Sequence, residues 1–145
     1  SGGIYTLSLV DGAIERIDLN DYFSPYRIMS LLADGDYLWV GTRGSGVFRV
    51  DMRSKVVEQF SHDEQDPESI SANSITDIIK DQNGQIWVST FHQGVNRLID
   101  DKHFKRYVST PDHDSAGPSS NHVLQLLAGQ DGSIWLATYG GGLNR

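Results

Sequence analysis

The sequence predicts an all-β fold of four-stranded antiparallel blades, about three blades of a larger β-propeller. Three observations predict it. A tryptophan stands at positions 39, 87 and 135, a step of 48 residues each time, and the threonine three residues later and the glycine seven residues later keep step. Each period holds short apolar runs separated by turn signals, and no stretch carries helical periodicity. Two stretches of pure loop composition, 61–72 and 109–120, both fall between periods. Four-stranded units repeated without helices are propeller blades, whereas a β-helix needs a shorter period and a sandwich does not repeat in this way.

The elements follow in order. Residues 3–9 read like the third strand of a later unit, and Asp11-Gly12 then turns the chain into a fourth strand around Ala13-Ile14-Glu15. Residues 1–18 are therefore the last two strands of a blade, 26–60 and 73–108 are complete blades, and 121–145 are the first three strands of another. Each blade opens with an inner strand, at 27–32, 74–79 and 122–127. These strands are apolar on both faces, as expected of strands covered on both sides. Ser30, Asp77 and Gln125 hold one polar position in register; Asp77 and Gln125 are expected to hydrogen-bond across neighbouring blades if buried, or else to face the central channel. Asp34-Gly35, Asn83-Gly84 and Asp131-Gly132 mark the hairpins into the tryptophan strands, because hairpin turns need residues that accept positive φ. A glycine-bearing turn, a third strand and an outer strand complete the unit. Three blades are fewer than the four to eight of most rings. The expectation is a segment of a longer propeller or, alternatively, copies that associate to close one, with apolar terminal faces that need cover.

Composition narrows the function. The chain has 145 residues, 15 glycines, four prolines and no cysteine, with a formal net charge of −7. The absence of cysteine excludes disulfides, thiol catalysis and Cys-ligated metals. The acidic balance without a basic run argues against nucleic acid and against anionic membrane surfaces. No segment approaches the roughly 18 apolar residues of a membrane span. No nucleophile elbow, P-loop or dinucleotide fingerprint is present, and Gly140-Gly141-Gly142 is a strand turn with no helix behind it to receive a phosphate. No cofactor, metal or catalytic residue is expected. His62-Asp63-Glu64 and Asp112-His113-Asp114 are adjacent residues on single loops, a poor geometry for one ion.

Asn73-Ser74-Ile75, Asp77-Ile78, Asp81 with Gly84, Ile86-Trp87-Val88, Thr90 and Gly94-Val95-Asn96-Arg97 form one in-phase pattern. Ile134-Trp135-Leu136-Ala137-Thr138 and Gly140-Gly141-Gly142-Leu143-Asn144-Arg145 repeat it. The pattern resembles the two-component regulator propeller repeat, and the resemblance covers the whole chain. The first unit departs from it, with Tyr26 in place of the opening Asn and Gly44-Ser45-Gly46 in place of the Gly-Gly pair. The resemblance implies a seven-bladed propeller in the periplasmic sensor half of a bacterial inner-membrane signalling protein. That protein would act as a receptor dimer with a cytoplasmic histidine kinase, often hybrid, or a diguanylate cyclase. It further implies a small extracellular ligand, with carbohydrate the leading class. The alternative is a protein-interaction scaffold without a small ligand, and a propeller lyase or hydrolase ranks last.

Residues divide by whether they repeat. Trp39, Trp87 and Trp135, Thr42, Thr90 and Thr138, and Gly46, Gly94 and Gly142 recur in every unit and read as frame, because a ligand rarely needs the same residue in every blade. The turn after the threonine differs from blade to blade. It carries Arg43 in the first unit, Phe91-His92-Gln93 in the second and Tyr139 in the third. Varied residues on a rigid scaffold suit recognition, so Arg43, Phe91, His92, Gln93 and Tyr139 are the candidate ligand-binding residues.

Overall fold

The computed structural model describes residues 3–110 and 117–145. β1 (Tyr5–Leu7) and β2 (Ile14–Arg16) pair around the Asp11-Gly12 turn, and a single helical turn, α1 (Asn20–Phe23), follows. β3 (Ile28–Asp34), β4 (Tyr37–Thr42), β5 (Val47–Asp51) and β6 (Val57–Phe60) form the first four-stranded blade. β7 (Ile75–Lys80), β8 (Ile86–Thr90), β9 (Val95–Leu98) and β10 (Phe104–Tyr107) form the second. β11 (Val123–Ala128), β12 (Ile134–Thr138) and β13 (Gly142–Asn144) form a three-stranded third sheet. Every pairing is antiparallel between strands consecutive in sequence. The fold is that of propeller blades. No helix among the described residues is long and apolar enough to cross a membrane.

The blades stack face to face through side chains. Trp39 is buried with Val47, Ile70, Ile75, Ile78, Ile86, Val88 and Phe104, residues drawn from the first and second blades and the connection between them. Trp87 packs in the same way towards Val123, Leu126, Ile134 and Leu136 of the third sheet. The inner strands β3, β7 and β11 lie side by side. Asp77 links all three: its Oδ1 accepts from Ser30 Oγ at 3.1 Å, and its Oδ2 accepts from the Leu126 amide at 3.0 Å. Gln125, at the same position of β11, is exposed beside Leu124 and Leu127.

The connections explain the departures of the first unit. The connection into the second blade is held by Asn73 Oδ1, which accepts from the His62 amide at 2.7 Å, and by Asn96 Oδ1, which accepts from Ser71 at 2.9 Å. Asn121 and Asn144 do the same for the connection into the third sheet, accepting from Ser109 and Ser119. The first blade has Tyr26 and Phe48 at the corresponding positions. Their rings lie 4.9 Å apart and pack against Phe23 of α1. A pair of asparagines that clamps a polar loop is thus replaced jointly by a pair of aromatics that clamps a helical turn.

Each inner strand also has a register shift in the same place, between Ile28 and Ser30, between Ile75 and Asp77, and between Val123 and Gln125. A bulge leaves one residue unpaired and turns its side chain. Those residues are Met29, Thr76 and Leu124.

Candidate functional site

The frame of each blade is closed on itself. Thr42 Oγ1 donates to the Gly46 carbonyl at 2.8 Å, Thr90 to Gly94 at 3.1 Å and Thr138 to Gly142 at 2.8 Å. The Thr42 and Thr90 hydroxyls also accept from the turn amides of Ser45 and Gln93. Gly46 and Gly94 sit at φ +76° and +69°, and a Cβ on either would strike the carbonyl of Phe60 or Tyr107 on the outer strand. Only glycine meets both demands, which is why it recurs.

The same frame holds a contact not assigned from the sequence. The Arg49, Arg97 and Arg145 guanidinium groups lie 5.4, 5.8 and 5.2 Å from the ring centres of Trp39, Trp87 and Trp135. Trp39 faces Arg49, and Trp87 faces Arg97, across the second and third strands, so strand register creates the stack. The signal was present, since arginine recurs with the same 48-residue step. Arg49 also binds Glu58 at 2.6 Å and Asp101 of the second blade at 2.9 Å. Burial pulls its pKa down, but the hydrogen bonds and charges of Asp101 and Glu58 outweigh this and hold it above the ordinary value.

The variable positions gather at one end of the inner and tryptophan strands. Three equivalent backbone hydrogen bonds build this rim: Arg43 N–H to Arg27 O at 2.9 Å, Phe91 N–H to Ser74 O at 3.0 Å, and Tyr139 N–H to His122 O at 2.8 Å. Each rung presents two side chains, and the bulge residue Met29, Thr76 or Leu124 adds a third. All three positions differ in type from blade to blade.

Arg43, Phe91 and His92 line one cavity of about 390 Å³ with Met29, Ser74 and Thr76. The Phe91 and His92 rings are 4.5 Å apart, and His122 lies 4.8 Å from His92. Tyr139 joins at one remove, 6.5 Å from His122. Gln93 is not brought to the cavity. It closes the turn, with its amide on Thr90 Oγ1 and its carbonyl accepting from Ser71 Oγ at 2.8 Å. Sequence reasoning missed His122, Ser74, Arg27 and the bulge residues. They precede or interrupt strands that looked like plain core, yet their non-recurrence at fixed phase marks them.

The loop 61–72 is pinned rather than open. His62 Nδ1 lies 2.8 Å from the Ile70 carbonyl, and Arg106 donates to the Ser69 and Asp66 carbonyls at 2.9 Å. No group of three or more His, Asp or Glu among the described residues is placed to share an ion. Asp112-His113-Asp114 lies outside the described residues.

Residues 69–92 match the model of the two-component regulator propeller family. The repeat so matched runs from the pinned connection through β7 and β8 to Phe91 and His92, and so ends on the rim. No curated protein matches the chain. Among solved structures, it is similar to the extracellular domain of a protein described as a hybrid two-component system of Bacteroides thetaiotaomicron. The TM-score is 0.72 and the identity 20%, over 96% of this chain and 18% of that one. A second such domain from the same organism gives a TM-score of 0.68 at 23% identity, over 99% of this chain and 19% of that one. The β-propeller domain of Swd1 (Cps50) of Myceliophteria thermophila gives 0.54 at 12% identity, over 97% of this chain and 51% of that one. At these identities the likeness shows the fold. The chain spans less than a fifth of the length of the two bacterial extracellular domains.

Proposed function

We propose that this chain is a sensing segment of the extracytoplasmic propeller of a bacterial membrane-anchored receptor, that it binds a small ligand on its rim, and that it performs no catalysis. The observation that carries the reading is the division of labour within the repeat. The threonine and glycine positions of the frame recur and bond to each other within each blade. The rim positions differ between blades, and those of the first two blades open onto one cavity of about 390 Å³. Such a size suits a small molecule. An exposed aromatic beside polar groups suits a ring-shaped ligand such as a saccharide, which offers an apolar face and hydroxyls together. The propeller repeat and the two bacterial extracellular domains support the receptor context. There, ligand contacts that bridge blades would favour one packing of a receptor dimer over another, and a cytoplasmic kinase or cyclase would read the difference.

The test is a thermal-shift screen of oligosaccharides on the complete extracellular domain that carries this sequence. A saccharide that raises the melting temperature of the parent protein, with the rise lost in Phe91→Ala, supports the reading. No shift with any saccharide, together with capture of a defined protein partner, supports the scaffold reading instead.

A further inference from the structure

Eight arginines stand in the sequence, at 16, 27, 43, 49, 53, 97, 106 and 145, and all but two are held. Arg16, Arg49, Arg53 and Arg145 each meet a carboxylate. Arg97 stacks on Trp87, and Arg106 is spent on backbone carbonyls. Arg27 and Arg43 are the exceptions: neither side chain has a hydrogen bond, ion pair or ring contact among the described residues. They are adjacent members of one rung, joined by the Arg43 N–H to Arg27 O bond, and both are exposed. In a chain of net charge −7, two arginines left without acidic partners on the same rung are not explained by stability.

The surroundings point the same way. Arg43 lines the rim cavity with Ser74 and His92, and neither the Ser74 hydroxyl nor the His92 ring has a hydrogen-bond partner among the described residues. The nearest inner-strand carboxylate, Asp77, is already occupied at both oxygens by Ser30, Ile78 and Leu126. The cavity therefore offers several unpaired donors and no free acid, beside the ring of Phe91. A guanidinium binds an oxyanion through parallel charge-assisted N–H donors. An aromatic face beside it takes the flat side of a ring.

We infer that the rim cavity recognises an acidic saccharide, a sugar ring carrying a carboxylate or a sulfate, with Arg43 on the oxyanion, Arg27 reinforcing the local field and Phe91 under the ring. This rests on the sensing reading above and names the chemical class of its ligand. Neutral sugars of the same shape lack the group that Arg43 is free to bind, so the arginine supplies discrimination as well as affinity.

The experiment is isothermal titration calorimetry on the complete extracellular domain carrying this sequence, with three probes: digalacturonic acid, neutral galactobiose and sulfated galactobiose. The expected result is binding of at least one acidic probe with galactobiose weaker by about tenfold or more, as the loss of one charge-assisted pair implies. Arg43→Gln removes that preference, lowering the affinity for the acidic probe to that of galactobiose. Phe91→Ala weakens all probes alike. The two acidic probes separate a carboxylate site from a sulfate site. Arg43 is exposed, so an unchanged melting temperature for Arg43→Gln confirms that the variant is folded. Equal affinity for acidic and neutral probes, or undiminished preference in Arg43→Gln, overturns the inference while leaving saccharide sensing standing. Absence of binding by all three probes overturns the inference and counts against saccharide sensing as well.

Discussion

The seam between the first and second blades and the seam between the second and third use the same repeat positions, yet they pack differently. In the first, Trp39 is 2% exposed, its ring stacked 5.8 Å from Phe60, and Phe104 of the next blade's outer strand meets Phe60 edge-on at 5.9 Å. In the second, Trp87 is only half-buried and borders a cavity of about 400 Å³ with Tyr107, Pro118, Ile134 and Leu136. Phe104, on the outer strand of the second blade, supplies the third ring of the first seam. The tryptophan positions the seam, and the outer strand of the following blade closes it. Identical repeat residues therefore carry different energetic weight according to what lies across from them.

Phe104→Ala tests this most severely, because it removes the buried ring that closes the first seam. A loss of about 3–5 kcal/mol is expected for deleting a fully buried phenylalanine, measured by chemical denaturation. Little loss would mean that β10 does not close the seam. Next in size is Gly94→Ala. The left-handed backbone and the forced approach to the Tyr107 carbonyl together cost about 2–5 kcal/mol. Gly84→Ala serves as its control: the φ is similarly positive, but only the end of the flexible Lys80 side chain is near, and so it incurs the conformational part alone. Asp77→Ala follows. It strands the Leu126 amide between the second and third blades, and about 1–3 kcal/mol is expected for an amide left without its acceptor. Hydrogen exchange should rise at Leu126 before it rises in β4.

The smallest expected effect is electrostatic. Backbone hydrogen bonds from Lys102 and the His103 ring lower the Asp100 pKa to about 2, and the same carboxylate raises that of His103. The raised histidine stabilises the turn fully below its ordinary value of 6.5 and loses that contribution as pH climbs through the folded value. The lowered aspartate contributes above its ordinary 3.8 and loses its contribution as pH falls towards about 2. The pair is thus strongest between those two ordinary values. In Asp100→Asn the His103 titration should move down in pH, followed by NMR. Both groups are exposed, so the melting temperature should barely respond.

Much of this was legible in the sequence because it repeats. The 48-residue step fixes blades, hairpins and the internal threonine and glycine positions without reference to any partner. Two kinds of feature were not legible. The stacks of Arg49, Arg97 and Arg145 on the tryptophans depend on strand register, which a linear pattern does not display, although the arginines keep the same phase. The rim was half visible. Arg43, Phe91 and His92 stand in an evident turn, whereas Arg27, Ser74 and His122 sit at strand starts and reach the rim only through a cross-strand amide bond. Met29 and Thr76 face the cavity because of a bulge, and nothing in a run of apolar residues announces one. The clamp of Tyr26 on Phe48 shows the converse: two separate departures from the repeat turn out to be one substitution made in two places.

The central claim is that recurring positions carry stability and varied rim positions carry recognition. The direct measurement pairs melting temperature with saccharide affinity across Arg43→Gln, Phe91→Ala, His92→Ala and Thr90→Ala in the complete extracellular domain. The account predicts that the three rim variants stay within about 0.5 kcal/mol of the parent in stability and lose affinity. Thr90→Ala, which leaves the Gln93 amide without its acceptor and the Gly94 carbonyl with only the residue 90 amide, should lose about 1–2 kcal/mol of stability and keep its affinity once folded. Rim variants that destabilise the fold as much as Thr90→Ala, with affinity untouched, would contradict it.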